Sequence, residues 1–259
     1  MDFDFRNVPR YWFGGDPVRT HFLNALSLTF PEGERFFVDS VRALRQQAVN
    51  ASQEEISGFI GQEAMHSKEH RTFNELLEQQ GYGKQTRGGE GLAVRFLNGA
   101  RKRLGKRQQL AVTAGLEHIT AILANHLLKD GGMVEEMDSS VRNLWVWHAI
   151  EETEHKAVAY DLYLDTGANY PERVIIFLGA TSYLGVYTAI YLTRFLAADR
   201  MWKHPGLLAK GFGKMLRTLA PVVPDYLDYL RPGFHPWDDE NSHLVLRWRE
   251  HLDTDYQAA

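Results

Sequence analysis

Apolar residues recur every three to four positions through most of the chain, a period that predicts helices rather than strands. From Glu54 to Gln80 the sequence reads EEISGFIGQEAMHSKEHRTFNELLEQQ, with Ile56, Phe59, Ile60, Phe73 and Leu77 on one side. Gly81 follows as a stop signal. A second long stretch, Ser139 to Leu164, carries Val141, Trp145, Ala149, Ala159 and Tyr163 on one face, with Ser139 or Ser140 as its N-cap. A third, Arg107 to Leu128, has Leu110, Ala114, Ala121, Ala124 and Leu128 in register. A further helix begins near Pro31, a residue that suits a first turn, with Val38, Val41 and Ala48 on its apolar face. Val174 to Thr193 is twenty residues without a charge, bracketed by Arg173 and Arg194. Pro224 to Leu230 predicts one short helix before an irregular RPGFHPW segment. The pattern is that of an all-α protein.

Polar residues inside these apolar stripes carry the chemistry. Glu63, His66 and His70 fall on the apolar side of the 54–80 helix; His148, Glu152 and His155 fall on that of the 139–164 helix. Lys68, Glu69 and Glu75 point elsewhere and read as solvated, as do Glu151 and Glu154. Glu117 is the one interior acid of the third helix, and His118 is rotated about 100° away from it. Near Pro31, Glu34 shares the apolar face while Glu32 lies off it. Burying such groups is costly unless they are paired or bind a metal. A buried salt-bridged network would satisfy the same periodicity, yet acids and imidazoles from four helices converging without a cation would be expensive.

Glu63/His66 and Glu152/His155 are both Glu-x-x-His pairs, each able to grip one ion from a single helix face. A third match, Glu240/His243, follows several prolines in a polar stretch and reads as accidental. Two such pairs, plus one carboxylate from each of two other helices, make the dinuclear carboxylate site of a four-helix bundle. The order Glu34, Glu63-x-x-His66, Glu117, Glu152-x-x-His155 supplies that set. The roughly 54 residues from Glu63 to Glu117 leave room for the long crossover this topology needs. His70 and His148 read as partners of the ligands, and His148 as a candidate extra ligand.

The stretches YWFGGDPVRTHFLNALSLTFPEGERFF, GFIGQEAMHSKEH, GLEH, WHAIEETEHKAVAYDLY and YLRPGFHPWD together resemble a bacterial family of predicted metal-dependent hydrolases, a ferritin-like group. The resemblance implies a metal site at the residues already chosen. The expected architecture is a ferritin-like four-helix bundle over 31–165, preceded by an N-terminal arm (1–30) and followed by a C-terminal helical extension (166–259) packed on the bundle.

Composition narrows the rest. A net charge of −4 gives no sign of nucleic-acid binding. The absence of cysteine excludes disulfides, thiolate metal sites, iron–sulfur clusters and cysteine nucleophiles. It suits a cytoplasmic protein, and the acidic, aromatic start MDFDFRNVPRYWFGG does not read as a signal peptide. Gly81 to Arg107 reads as a Gly-rich connection whose basic cluster (Arg101, Lys102, Arg103, Lys106, Arg107) is a solvated helix start, or a contact for anionic headgroups or an acidic substrate. The 174–193 segment meets the length of a membrane span but holds many Gly, Thr and Tyr. Its first reading is a buried fifth helix or homodimer interface, and its second is membrane-surface contact. His235 reads as structural, with reach to the site as the alternative.

Four carboxylates and two imidazoles suit two divalent ions, iron first, with manganese or zinc as alternatives. With iron the charge balance points to oxygen-dependent oxidation of a small or lipid-like substrate, and no arginine clamp is evident on an inward helix face. Two metals can equally support hydrolysis. Metal storage fits least, because about 95 residues follow the fourth helix.

Overall fold

The computed structural model describes residues 3–129 and 131–258, with residues 131 and 253–258 described by backbone only. Among the described residues the chain is helical throughout, and its one β-type contact is an isolated bridge between Phe13 and Met137. The helices are α1 (Pro17–Ser27), α2 (Phe30–Leu44), α3 (Gln53–Leu77), α4 (Gly83–Arg103), α5 (Lys106–Lys129) and α6 (Gly131–Glu135). They continue as α7 (Ser139–His155), α8 (Val158–Asp165), α9 (Tyr170–Ala198), α10 (Pro205–Leu219), α11 (Val222–Asp228) and α12 (Ser242–Ala258).

Local chemistry sets the boundaries. Ser52 caps α3, accepting from the Glu55 amide while the Glu55 carboxylate accepts from the Ser52 amide, a reciprocal capping box. The cap of α7 is Asp138, one residue earlier than the serines expected, and it accepts from the Ser140 amide. Pro31 sits in the first turn of α2 as expected. Asp16 caps α1 with Pro17 beside it.

Two expectations change. Gly81 does stand at positive φ (95°), but the chain turns there through a widened turn and continues as α4, so 83–103 is a helix rather than an irregular connection. Its glycines masked a periodicity carried by Thr86, Ala93 and Leu97, which are buried. The 139–164 helix is broken at Lys156 and Ala157. Lys156 is drawn into bonds with the Asp239 carbonyl (2.6 Å) and the Asn241 side chain (2.7 Å). The short helix predicted at 224–230 is α11, displaced two residues toward the N-terminus.

Around the core, α2 packs on α3 and α5, α5 packs on α7 and α8, and α3 meets α7. The 1–30 segment contains α1, whose Val18, Thr20, His21 and Asn24 are fully buried. α9 lies along α5 and α1. The approach to α5 is close at Gly115, where an added Cβ would stand 3.1 Å from Phe177 Cδ2. Of the expected basic cluster, Arg101 ties α4 to α2 through Glu32 (2.6 Å) and Asp39 (3.2 Å), and Arg107 pairs with Glu172 (2.8 Å) at the start of α9.

Among the described residues α9 alone is long and apolar enough to cross a membrane, with mean hydropathy 1.6 over its most apolar window; 28% of that window is buried inside the molecule.

Candidate metal centre

α2, α3, α5 and α7 each aim their interior acid at one point. Glu34, Glu63, Glu117 and Glu152 are all buried, as are His66 and His155. Glu63, Glu117, Glu152 and His155 present one ligand atom each within 4.8 Å of one another, and Glu34, Glu63 and His66 do the same. Glu63 belongs to both groups. Glu152 joins a third group with His66 and His148, so it faces both sides of the cluster.

The two imidazoles present opposite nitrogens. His155 turns Nε2 inward, 3.2 Å from Glu63 Oε1 and 3.4 Å from Glu117 Oε2, while Gln62 Oε1 lies 3.1 Å from its Nδ1. His66 turns Nδ1 inward, 3.6 Å from carboxylate oxygens of both Glu63 and Glu152, and its Nε2 lies 3.1 Å from Glu151 Oε2. Each ring thus has an outer nitrogen held by a neighbour, as metal-ligating histidines do. Glu151 was expected to be solvated; it is instead positioned by Trp147 Nε1 (2.8 Å) against His66. Gln62 was not foreseen, because an uncharged amide one residue before Glu63 leaves no signal in the pattern.

His70 and His148 extend the cluster toward α1. His148 Nε2 lies 3.0 Å from Glu152 Oε1, His70 Nε2 lies 2.7 Å from His148 Nδ1, and Ser27 Oγ lies 2.9 Å from His70 Nδ1. His148 stacks on His66 with ring centroids 4.1 Å apart. Both histidines also fall within ligand distance of Glu34. Glu69, expected to be solvated, is buried, and its Oε2 accepts from the Phe3 amide.

Several inward atoms have no hydrogen-bond partner. They are both oxygens of Glu34, Glu63 and Glu117, Oε2 of Glu152, Nδ1 of His66 and Nε2 of His155. Leaving even one such group unsatisfied costs about 1–3 kcal/mol, and more when it is charged. Burial raises the Glu34 and Glu117 carboxyls well above their usual range, and their carboxylate neighbours raise them further. Burial also raises Glu63. Glu152 moves the other way: burial would raise it, but hydrogen bonds with His148 and His155 hold it well below the usual range. Burial lowers His148 to about 4. Buried acids without hydrogen-bond partners, pushed toward their neutral form, are groups that a bound cation would relieve, and the O/N donor set fits such an ion.

The other candidates lie apart from the cluster. Glu240 is exposed beside Ser242. His118 Nε2 meets the Asp225 carbonyl (3.0 Å), and His235 Nε2 meets Asp161 (2.8 Å) on α8.

Two apolar cavities touch the cluster. One, of about 100 Å³, is lined by Phe22, Leu26, Phe30, Leu123, Trp145 and Met215, with His148 and Glu152 in its wall. The other, of about 60 Å³, is lined by Phe37, Ala93, Phe96 and Leu116 together with Glu34, His148 and Glu152. Arg19 of α1 also lines the first cavity, although its charge is already paired with Glu136 and Asp16. An inward arginine therefore does stand on a helix face beside the cluster, contrary to the expectation of none; α1 was not among the helices the apolar periodicity had marked.

Fold and site together define a protein that is helical across its described residues, with a buried carboxylate–histidine cluster that could hold a metal ion. The chain belongs to the family described as predicted metal-dependent hydrolase, whose model matches residues 1–240. The curated proteins and the solved structures give no match.

Proposed function

We propose that this protein is a dinuclear metal-dependent hydrolase whose substrate carries an aliphatic portion. In this reading α2, α3, α5 and α7 form a ferritin-like four-helix bundle, with α4 as its long crossover. The observation that carries it is the convergence of unpartnered, buried ligand atoms from Glu34, Glu63, His66, Glu117, Glu152 and His155. Glu34 and His66 would hold one ion, and Glu117 and His155 the other. Glu63 and Glu152 face both and would bridge them. Two such ions supply Lewis acidity toward a carbonyl or phosphoryl oxygen and lower the pKa of a water nucleophile.

The protein's own contribution is position and dryness. Gln62 and Glu151 fix the rings of His155 and His66, and the Ser27–His70–His148 chain fixes Glu152. The largely apolar cavity walls beside His148 and Glu152 exclude water from the flank of the site and match an acyl or alkyl chain.

The family description favours hydrolysis over the iron-dependent oxidation first expected from charge balance. For hydrolysis zinc, which has no redox chemistry of its own, is the ion to load first, and manganese the second. The test is a series of acyl esters of increasing chain length, assayed with metal-loaded protein. Hydrolysis should improve with chain length and fall about 100-fold or more in Glu117→Ala. Substrate-dependent oxygen consumption without ester cleavage would contradict the hydrolytic reading.

A further inference from the structure

Between Arg200 and Pro224 the chain carries Arg200, Lys203, Lys210, Lys214 and Arg217 and no acidic residue. Trp202 (60% exposed), Leu207 (52%), Leu216 (65%) and Val223 (53%) are displayed to solvent on the same segment. These exposed apolar side chains coincide with the positive charge of a short stretch.

α10 explains how both properties coexist. Its inner face, Leu208, Gly211, Met215 and Leu219, turns toward α1 and the first apolar cavity. At Gly211 the approach is so close that an added Cβ would lie 2.6 Å from Val18 Cγ2, which seats α10 firmly on the body of the protein. The apolar arc does not stop at this contact. Phe212 and Leu216 continue it into solvent, while Lys210, Lys214 and Arg217 occupy the opposite flank. Lys214 reaches Glu136 (3.5 Å); among the described residues the four other cations of the segment have no carboxylate partner. An apolar arc wider than the protein covers, flanked by unpaired cations and led by an exposed tryptophan, is the pattern of a helix lying in a lipid–water interface.

The cavities give the surface a purpose. A cleft of about 310 Å³ opens between α9 and α10, and it shares Leu26, Leu123, Met215 and Leu219 with the cavity that touches Glu152. The cleft wall is nearly all apolar. The cleft beside α10 and the cavity that touches the carboxylate cluster are therefore neighbours, with these apolar side chains between them.

We infer that the 200–224 segment, with α10 at its centre, docks this protein on an anionic lipid bilayer, so that the cleft between α9 and α10 opens onto the acyl chains. The docking face stands on charge and exposure alone and is separate from the metal reading; metal content and membrane binding are measured independently.

The experiment is flotation of the full chain with phosphatidylcholine vesicles and with phosphatidylcholine–phosphatidylglycerol vesicles. Binding to the anionic vesicles, weakened by salt and absent from the neutral ones, is expected. Lys203→Glu, Lys210→Glu and Arg217→Glu should each weaken binding by about fivefold or more, since a basic residue near an anionic surface is worth about that factor. Leu216→Asp should weaken binding at every salt concentration. The helical circular-dichroism signal and melting temperature of these surface variants serve as the check on folding. Failure of the wild type to float with anionic vesicles overturns the proposal, as does unchanged binding by the charge reversals. A dimer in light scattering that Leu216→Asp converts to monomer would also overturn it, by assigning the face to a second copy of the chain.

Discussion

At the scale of single residues, the cluster is defined by what its members lack. Glu117 sits among Leu110, Ala114 and Ala121 with neither oxygen hydrogen-bonded and His155 Nε2 3.4 Å away, so in metal-free protein its burial costs more than it returns. Glu117→Gln removes a buried ionisable group while keeping its shape. The metal-free variant should melt a few degrees above metal-free wild type, because about 1 kcal/mol shifts the melting temperature of a domain this size by about 2–4 °C. The same variant should lose most of the stabilisation that added metal gives the wild type. A metal-free melting temperature below the wild type's would mean that Glu117 makes a favourable interaction of its own. These residues were legible in the sequence because an acid on an apolar helical face is anomalous there. Glu151 and Gln62 were not, since they lie at the edge of the face and become internal only through the neighbouring helix. Glu69 was misread for the same reason: the N-terminal residues cover it.

At the scale of elements, sequence periodicity located α2, α3, α5 and α7 closely, because each is long and carries one dominant face. It missed α4, whose glycines hid a helix stabilised by tertiary contacts, and the break after His155, which depends on partners about 85 residues away. The turn into α4 depends on Gly81, whose φ of 95° disfavours any side chain. Gly81→Ala should cost about 1–2 kcal/mol, read by denaturant unfolding, and should leave metal stoichiometry unchanged. The far end of α9 offers a pH-sensitive contact. Burial would raise the Asp199 carboxyl, but hydrogen bonds from His21, Arg10 and Tyr82 hold it below its ordinary 3.8. A depressed carboxylate stabilises the fold fully above that ordinary value, and the contribution disappears as pH falls toward its folded value. His21, lowered by burial, adds an earlier loss, as pH falls below 6.5. Asp199→Asn should therefore lower the melting temperature at neutral pH. The gap to wild type should narrow below about pH 4; a gap that is constant with pH would contradict this assignment.

At the scale of the whole molecule, the fold surrounds one charged interior with an apolar shell and leaves that shell open toward α9 and α10. The 174–193 segment shows why sequence alone could not place this arrangement. Its length and lack of charge satisfy a membrane span, yet Phe177, Tyr187, Tyr191 and Leu192 are buried against the protein while Ile175 and Val186 face outward. Loading both metal positions should also stabilise the whole molecule, since a ligand bound only to the folded state at 100 times its dissociation constant adds about 2.7 kcal/mol. A melting temperature indifferent to zinc, manganese and iron would leave the buried acids without their compensation.

The most direct test is the metal content per chain, measured by elemental analysis on protein purified anaerobically from its native host. The same measurement applies to Glu63→Ala, Glu152→Ala and Glu240→Ala. About two ions per wild-type chain are expected. Each of the first two variants should lose at least one, and Glu240→Ala should be unchanged. Wild-type protein that takes up no metal even after reconstitution, or full occupancy in both Glu63→Ala and Glu152→Ala, would contradict the metal centre and reduce the cluster to a structural network.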